Sequence, residues 1–167
     1  VKYTEGCSGL RWGRSRRAFR RHRELLWQEG HTRHDTAEEA MQETEDQLEC
    51  YARCCEEYLA MPVVRGVKTD KEKFSGAERT YAIECMMHDR KALQAGTSHY
   101  FGDGFAKAFD ITFTGKDNQL HHPHQNSWGV STRMLGGLIM THGDNNGLVR
   151  PPRLPPIPAQ VNHVAPP

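Results

Sequence analysis

Long apolar runs are missing from this 167-residue chain, and none approaches the length of a membrane span. Net charge is nearly missing too. Lys and Arg number 22 against 21 Asp and Glu, leaving +1, so bulk charge selects no partner. The opening VKYTEGCSGL lacks the shape of a signal peptide, and nothing points to secretion. CxxC pairs are missing: the five cysteines make no tidy disulfide set, and Cys50, Cys54 and Cys55 fall inside a helical pattern. Reduced, partly buried thiols in a cytoplasmic protein are the expectation. Apolar residues are scarce as well, at 37% with a mean hydropathy of −0.76, which predicts a soluble protein with polar clefts or loops. No internal repeat is present.

What is present is unevenly distributed. RWGRSRRAFRRHR (11–23) carries seven arginines, whereas DTAEEAMQETEDQLEC (35–50) is strongly acidic. The acidic stretch predicts a helix. Thr36 and Glu39 have capping-box spacing, and Ala37, Ala40, Met41, Thr44, Leu48, Tyr51, Ala52, Cys55 and Leu59 share one face up to Pro62. The pattern then changes to period two: Tyr81, Ile83, Cys85 and Met87 of TYAIECMM would share a strand face. RKALQAGTSHY (90–100) forms a hairpin with it, GFAKAFDI (104–111) reads as a short helix entering a strand, QNSWGVSTR (125–133) as a strand and MLGGLIMTHG (134–143) as a buried helix. From Pro151 on, the chain holds seven of its nine prolines and reads as an extended linker. Strands separated by one long helix predict an α+β fold, an antiparallel β-sheet flanked by helices.

Three stretches offer chemistry. The arginine run suits phosphate, since guanidinium forks match phosphate oxygens. Its aromatic interleaving is thin, only Trp12 and Phe19, so it does not choose among nucleotide, tRNA and DNA. In WQEGHTRH (27–34), His31 and His34 have metal-capable spacing on a helix but would face opposite sides of a strand. HHPH (121–124) is a loop histidine cluster, metal-capable in principle and more often plain surface.

Five blocks occur in one order: ELLWQEGHT (24–32), KTDKEKFSGAERTYAIE (68–84), ALQAGTSHYFGDGFAKAFDI (92–111), NSWGVSTR (126–133) and IMTHGDNNGLV (139–149). Together they resemble the catalytic core of the prolyl-tRNA synthetase family, a class II aminoacyl-tRNA synthetase, in its archaeal/eukaryotic-like branch. The resemblance covers most of 11–157. It implies that WQEGHTRH is the second strand of the motif 2 hairpin, with 11–31 forming strand, loop and strand. It also divides the chain into a catalytic core fragment (1–150) and a Pro-rich linker (151–167) toward an anticodon-binding domain.

The resemblance implies a proline–tRNA ligase core, in which proline and ATP form prolyl-adenylate and the prolyl group passes to tRNA(Pro). Arg11 and Arg133 match the catalytic motif 2 and motif 3 arginines. Arg11, Arg21, His22, Leu25, Gln94, Thr97, Ser131 and Arg133 match ATP-contacting positions, with Gln94 near Mg2+. Arg11, Trp27, His99, Trp128 and Gly129 match the proline pocket, the two tryptophans supplying its apolar walls. The partners implied are proline, tRNA(Pro) and, in the intact enzyme, a second subunit; no membrane is implied.

The sequence departs from the family at several points. Gly13 stands where a glutamate reads adenine, His22 replaces a threonine, Leu25 replaces a stacking phenylalanine, and Arg150 replaces an apolar residue. The opening VKYTEGCSG matches the family poorly. The dimer-forming motif 1 and the threonine–x–glutamate loop that holds the proline amine are not found before Arg11. These departures keep an alternative open, a synthetase-like nucleotide- or tRNA-binding domain without aminoacylation activity.

Overall fold

The computed structural model describes residues 1–12, 23–157 and 159. Six strands make one antiparallel sheet. They are β1 (Lys2–Leu10), β2 (Glu24–His34), β3 (Val64–Val67), β4 (Arg79–Met86), β5 (Ala92–Gly102) and β8 (His124–Ser131), in the order β1-β2-β8-β5-β4-β3. Two-stranded ladders β6 (Phe113–Thr114) with β7 (Leu120–His121), and β9 (Gly143–Asp144) with β10 (Gly147–Leu148), lie outside it. The helices are α1 (Ala37–Arg53), α2 (Gly104–Ala108) and α3 (Arg133–His142).

The hairpin of β1 and β2 starts earlier than its resemblance implies. Its first strand is Lys2–Leu10, which pairs with β2 from Lys2↔Thr32 to Leu10↔Glu24, and Arg11 N donates to Arg23 O at 2.6 Å where the two strands part. The poorly matching opening is therefore a full strand of the sheet. Alternating small and polar side chains disguise it, and none of its nine residues is buried.

The capping expectation for α1 holds: Thr36 Oγ1 accepts from Glu39 N at 3.2 Å. Ala40, Thr44, Leu48, Tyr51 and Ala52 bury against the sheet. The helix does not run unbroken to Pro62. Its last turn, Cys54–Tyr58, widens to π geometry, and Cys55 and Leu59 remain on the buried side. They meet Tyr81, Ile83, Cys85 and Met87 of the β4 region, so the period-two reading of that strand selects the face that packs on α1. Gly137 of α3 lets the same layer close. A Cβ there would stand 3.2 Å from Leu93 Cδ2 and 3.3 Å from Met61 Cε.

Both helices thus cover one face of the sheet. After Pro151 the described chain has turns and bends, and Leu154 packs against the core. No helix among the described residues is long and apolar enough to cross a membrane.

Candidate functional site

The face of the sheet turned away from α1 carries a cleft of about 360 Å³. Strand alternation explains which residues reach it. On β2, Gln28 turns to α1, where its Oε1 accepts from the Tyr51 hydroxyl at 2.5 Å; Leu25, Trp27, Glu29 and His31 turn to the cleft. His34 turns back, with Nε2 3.0 Å from Thr32 Oγ1, so the two histidines of WQEGHTRH do face opposite ways. On β8, Asn126 donates to Ala40 O and to Thr44 Oγ1 on the α1 side, while Ser127, Gly129 and Ser131 border the cleft.

Strand β5 uses a bulge. Ile83 pairs with Gly96 but Glu84 pairs with Gln94, leaving Ala95 as an extra residue. In an unbroken strand, Gln94 and Thr97 would lie on opposite faces. The extra residue resets the alternation, and both line the cleft with His99 and Phe101.

Every expected site residue that the structure describes borders this one cleft: Arg11, Leu25, Trp27, Gln94, Thr97, His99, Trp128, Gly129, Ser131 and Arg133. Arg21, His22 and the departure at Gly13 lie outside the described residues. One placement differs from expectation. The Trp128 indole stacks over Gly30, where a Cβ would come within 2.3 Å of it, and belongs to the buried cluster with Leu48 and Tyr51. Its indole packs in the core behind the cleft floor, and the residue borders the cleft from that side. Apolar walls come instead from Trp27 and from Phe74 and Phe101, whose ring centroids are 5.8 Å apart.

Glu29, His31 and Phe74 line the cleft without having been singled out for it. Counting by two from Trp27 finds the first pair; Phe74 sits in a loop and leaves no periodic signal. Glu29 stands directly opposite Glu5 on β1, and burial, then the hydrogen bond with Glu5, pushes its carboxyl above the ordinary range. His31 Nε2 lies 3.7 Å from Glu29 Oε2. His99 is deeper. Burial, with the positive charge of Lys68, pushes its imidazole down to about 4, so it is neutral at physiological pH.

At the other polar clusters, His121 pairs with Asp117 at 2.9 Å, His122 Nδ1 lies 2.9 Å from Ile111 O, and His124 Nδ1 lies 3.1 Å from the Tyr100 hydroxyl. The HHPH histidines thus point to three separate partners. The mixed group Glu5, Cys7 and Glu29 is the set among the described residues whose donor atoms cluster within 4.8 Å.

The resemblance implies a magnesium near Gln94. Glu84 and Gln94 are directly opposed in register and so share a face; Gln94 lines the cleft, and the Glu84 carboxylate lies 3.7 Å from the Lys68 ammonium. A carboxylate and an amide oxygen are the donor types a hard cation takes.

The family model for the tRNA synthetase class II core domain (G, H, P, S and T) matches residues 1–142, including the opening strand. A proline–tRNA ligase of Lachnospira eligens is 60% identical over 159 residues, covering 95% of this chain and 33% of that protein. Proline–tRNA ligase 2 of Clostridioides difficile is 60% identical over 163 residues, covering 98% and 34%. The crystal structure of prolyl-tRNA synthetase from Cryptosporidium parvum, complexed with L-proline and AMP, superposes with a TM-score of 0.90 at 43% identity, covering 94% of this chain and 34% of that one. The chain spans about a third of the length of the curated relatives it matches. The six-stranded antiparallel sheet with its helices matches the fold of that structure, and the chain belongs to the class II tRNA synthetase core family, resembling its prolyl members.

Proposed function

We propose that this domain is the adenylate-forming core of a proline–tRNA ligase, acting within a longer protein. The observation that carries the reading is the gathering, in one cleft, of residues drawn from β2, β5, β8 and the start of α3. In this reading a proline carboxylate oxygen attacks the α-phosphorus of ATP and pyrophosphate leaves. Arg11 and Arg133 face the negative charge that develops there, where bidentate guanidinium donors are most effective. Ser131, Thr97 and Gln94 hold the nucleotide, and Leu25 contacts the base without a π-face. Arg21 and His22 would reach the ATP tail. Mg2+, held by Glu84 and Gln94, would neutralise phosphate charge.

Proline would lie between Trp27 and the neutral His99, beside Gly129. The cleft also holds Glu29, a carboxylate able to face the proline ammonium, so an amine partner does not depend on a threonine–x–glutamate loop alone. The prolyl group then passes to tRNA(Pro). The reading extends to a homodimer, to a cytoplasmic setting and to a role for residues 151–167 in leading toward an anticodon-binding domain.

Leu25 favours a second reading, because it lines the cleft where an aromatic ring would stack on adenine. That reading is nucleotide or tRNA binding without proline activation. Proline-dependent ATP–pyrophosphate exchange by the full-length protein separates the two. Saturable exchange supports the ligase; nucleotide binding without exchange supports the binding module.

A further inference from the structure

Thr80 of β4 stands directly opposite His99 of β5, on the cleft side of the sheet, and is 1% exposed. Its Oγ1 accepts the backbone N–H of Phe74 at 3.1 Å and lies 3.0 Å from His99 Nδ1. A threonine hydroxyl has one proton to donate. Among the described residues His99 Nδ1 is the acceptor within its reach. If His99 instead carried its proton on Nδ1, that proton would point at Thr80, and the buried hydroxyl hydrogen would have no acceptor.

We propose that Thr80 is a positioning residue that holds His99 as the tautomer protonated on Nε2, so that the ring offers the cleft a hydrogen-bond donor. The ring plane is fixed at the same time. Phe74 and Phe101 flank the imidazole with centroids at 5.1 and 5.9 Å, and the Phe74 backbone is tied to the same hydroxyl. Thr80 therefore couples the orientation of an aromatic wall to the proton position of the histidine.

The chemical consequence is a choice of ligand atom. A neutral imidazole with Nε2–H serves an oxygen acceptor, such as a carbonyl or carboxylate; it has no free lone pair for an ammonium. Burial, and after it the Lys68 charge, disfavours the imidazolium and keeps the ring neutral. That the oxygen belongs to an amino acid rests on the reading above; the tautomer does not.

The test is 13C and 15N NMR of the His99 ring in the 167-residue chain at neutral pH. The expected signature is an unprotonated Nδ1 and a protonated Nε2. Thr80→Val, close to isosteric, should shift both nitrogens toward the averaged values of exchanging tautomers, and Thr80→Ser should restore the original pattern. A protonated Nδ1 in the unmodified chain would overturn the proposal, whatever the variants do. So would a Thr80→Val ring that keeps a pure Nε2–H signature in a chain whose amide spectrum remains folded. Failure of proline-dependent exchange in the full-length protein would leave these signals untouched, so the two readings fail separately.

Discussion

The Trp27 indole N–H donates to the Cys7 sulfur at 2.7 Å, across a directly opposed pair of β1 and β2. The bond pins the largest apolar wall of the cleft to the outermost strand of the sheet. Cys7→Ala should remove it and lower stability by about 1 kcal/mol, the usual net worth of one hydrogen bond. Cys7→Ser should retain most of it. Urea denaturation of the three chains gives the order, with tryptophan fluorescence reporting the freed indole. Equal stability of the alanine and serine variants would rule the bond out as a contributor.

Gly30 is a second prediction. Its Cβ position falls 2.3 Å from the rigid Trp128 indole, which cannot retreat as a flexible chain end could. Gly30→Ala should therefore destabilise by roughly 1–3 kcal/mol, the range for overpacking a core. A melting temperature unchanged from the parent chain would contradict the packing described.

The pH dependence of stability has a sign that follows from His99. The folded imidazole protonates at about 4 and the unfolded one at its ordinary 6.5. Between those values the unfolded chain binds more protons, so this contribution is complete above 6.5 and is lost as pH falls toward 4. In denaturant titrations at several pH values, the parent should lose stability relative to the His99→Gln chain as the medium is acidified from 6.5 toward 4. A parent that gains stability relative to the variant over that window would show that the histidine is charged in the fold.

Arg11 stands at the point where β1 and β2 separate, exposed and bordering the cleft. In the full-length protein Arg11→Ala should lower pyrophosphate exchange by roughly 10²–10³-fold, the cost typical of losing one positioned donor to developing charge. Arg11→Lys should recover little, because a point charge does not replace a bidentate fork. A lysine variant close to wild type would place the arginine outside the reacting centre.

Leu25 supplies a gain-of-function test. Leu25→Phe restores a π-face beside the expected adenine site and should tighten ATP by a factor of a few to about tenfold, the scale of one aromatic pair. Isothermal titration with ATP and GTP measures it. No change for either nucleotide would place the base elsewhere.

Much of this arrangement is legible in the residues alone, for physical reasons that also mark where legibility stops. The Tyr81-to-Met87 alternation names the buried face of β4 because a half-buried strand must repeat every two residues. Thr36 names the start of α1 because its hydroxyl caps a free N–H. The opening strand is hidden because Thr4, Gly6, Ser8 and Gly9 carry no hydrophobic periodicity, and its pairing with β2 decides its conformation. Trp128 misleads for a related reason. Its type suits a pocket wall equally well, and only the missing side chain at Gly30 reveals which face it occupies. Most of the expected site residues emerge from the order of the five blocks, and Arg11 only from its place ahead of the first, since no local rule joins Arg11 to Arg133.

The extra residue at Ala95 has a hereditary consequence. A strand is a counting device of parity two, and Ala95 is the odd beat that brings Gln94 into phase with Thr97. Replacing Ala95 by another small residue preserves the count. Losing it, or gaining a neighbour, inverts the identity of inside and outside for everything beyond that point on one side. Descendants of this domain are therefore free to vary the letter at this position but not the length of the word, and a one-residue insertion or deletion in β5 is a more radical event than most substitutions in the cleft it serves.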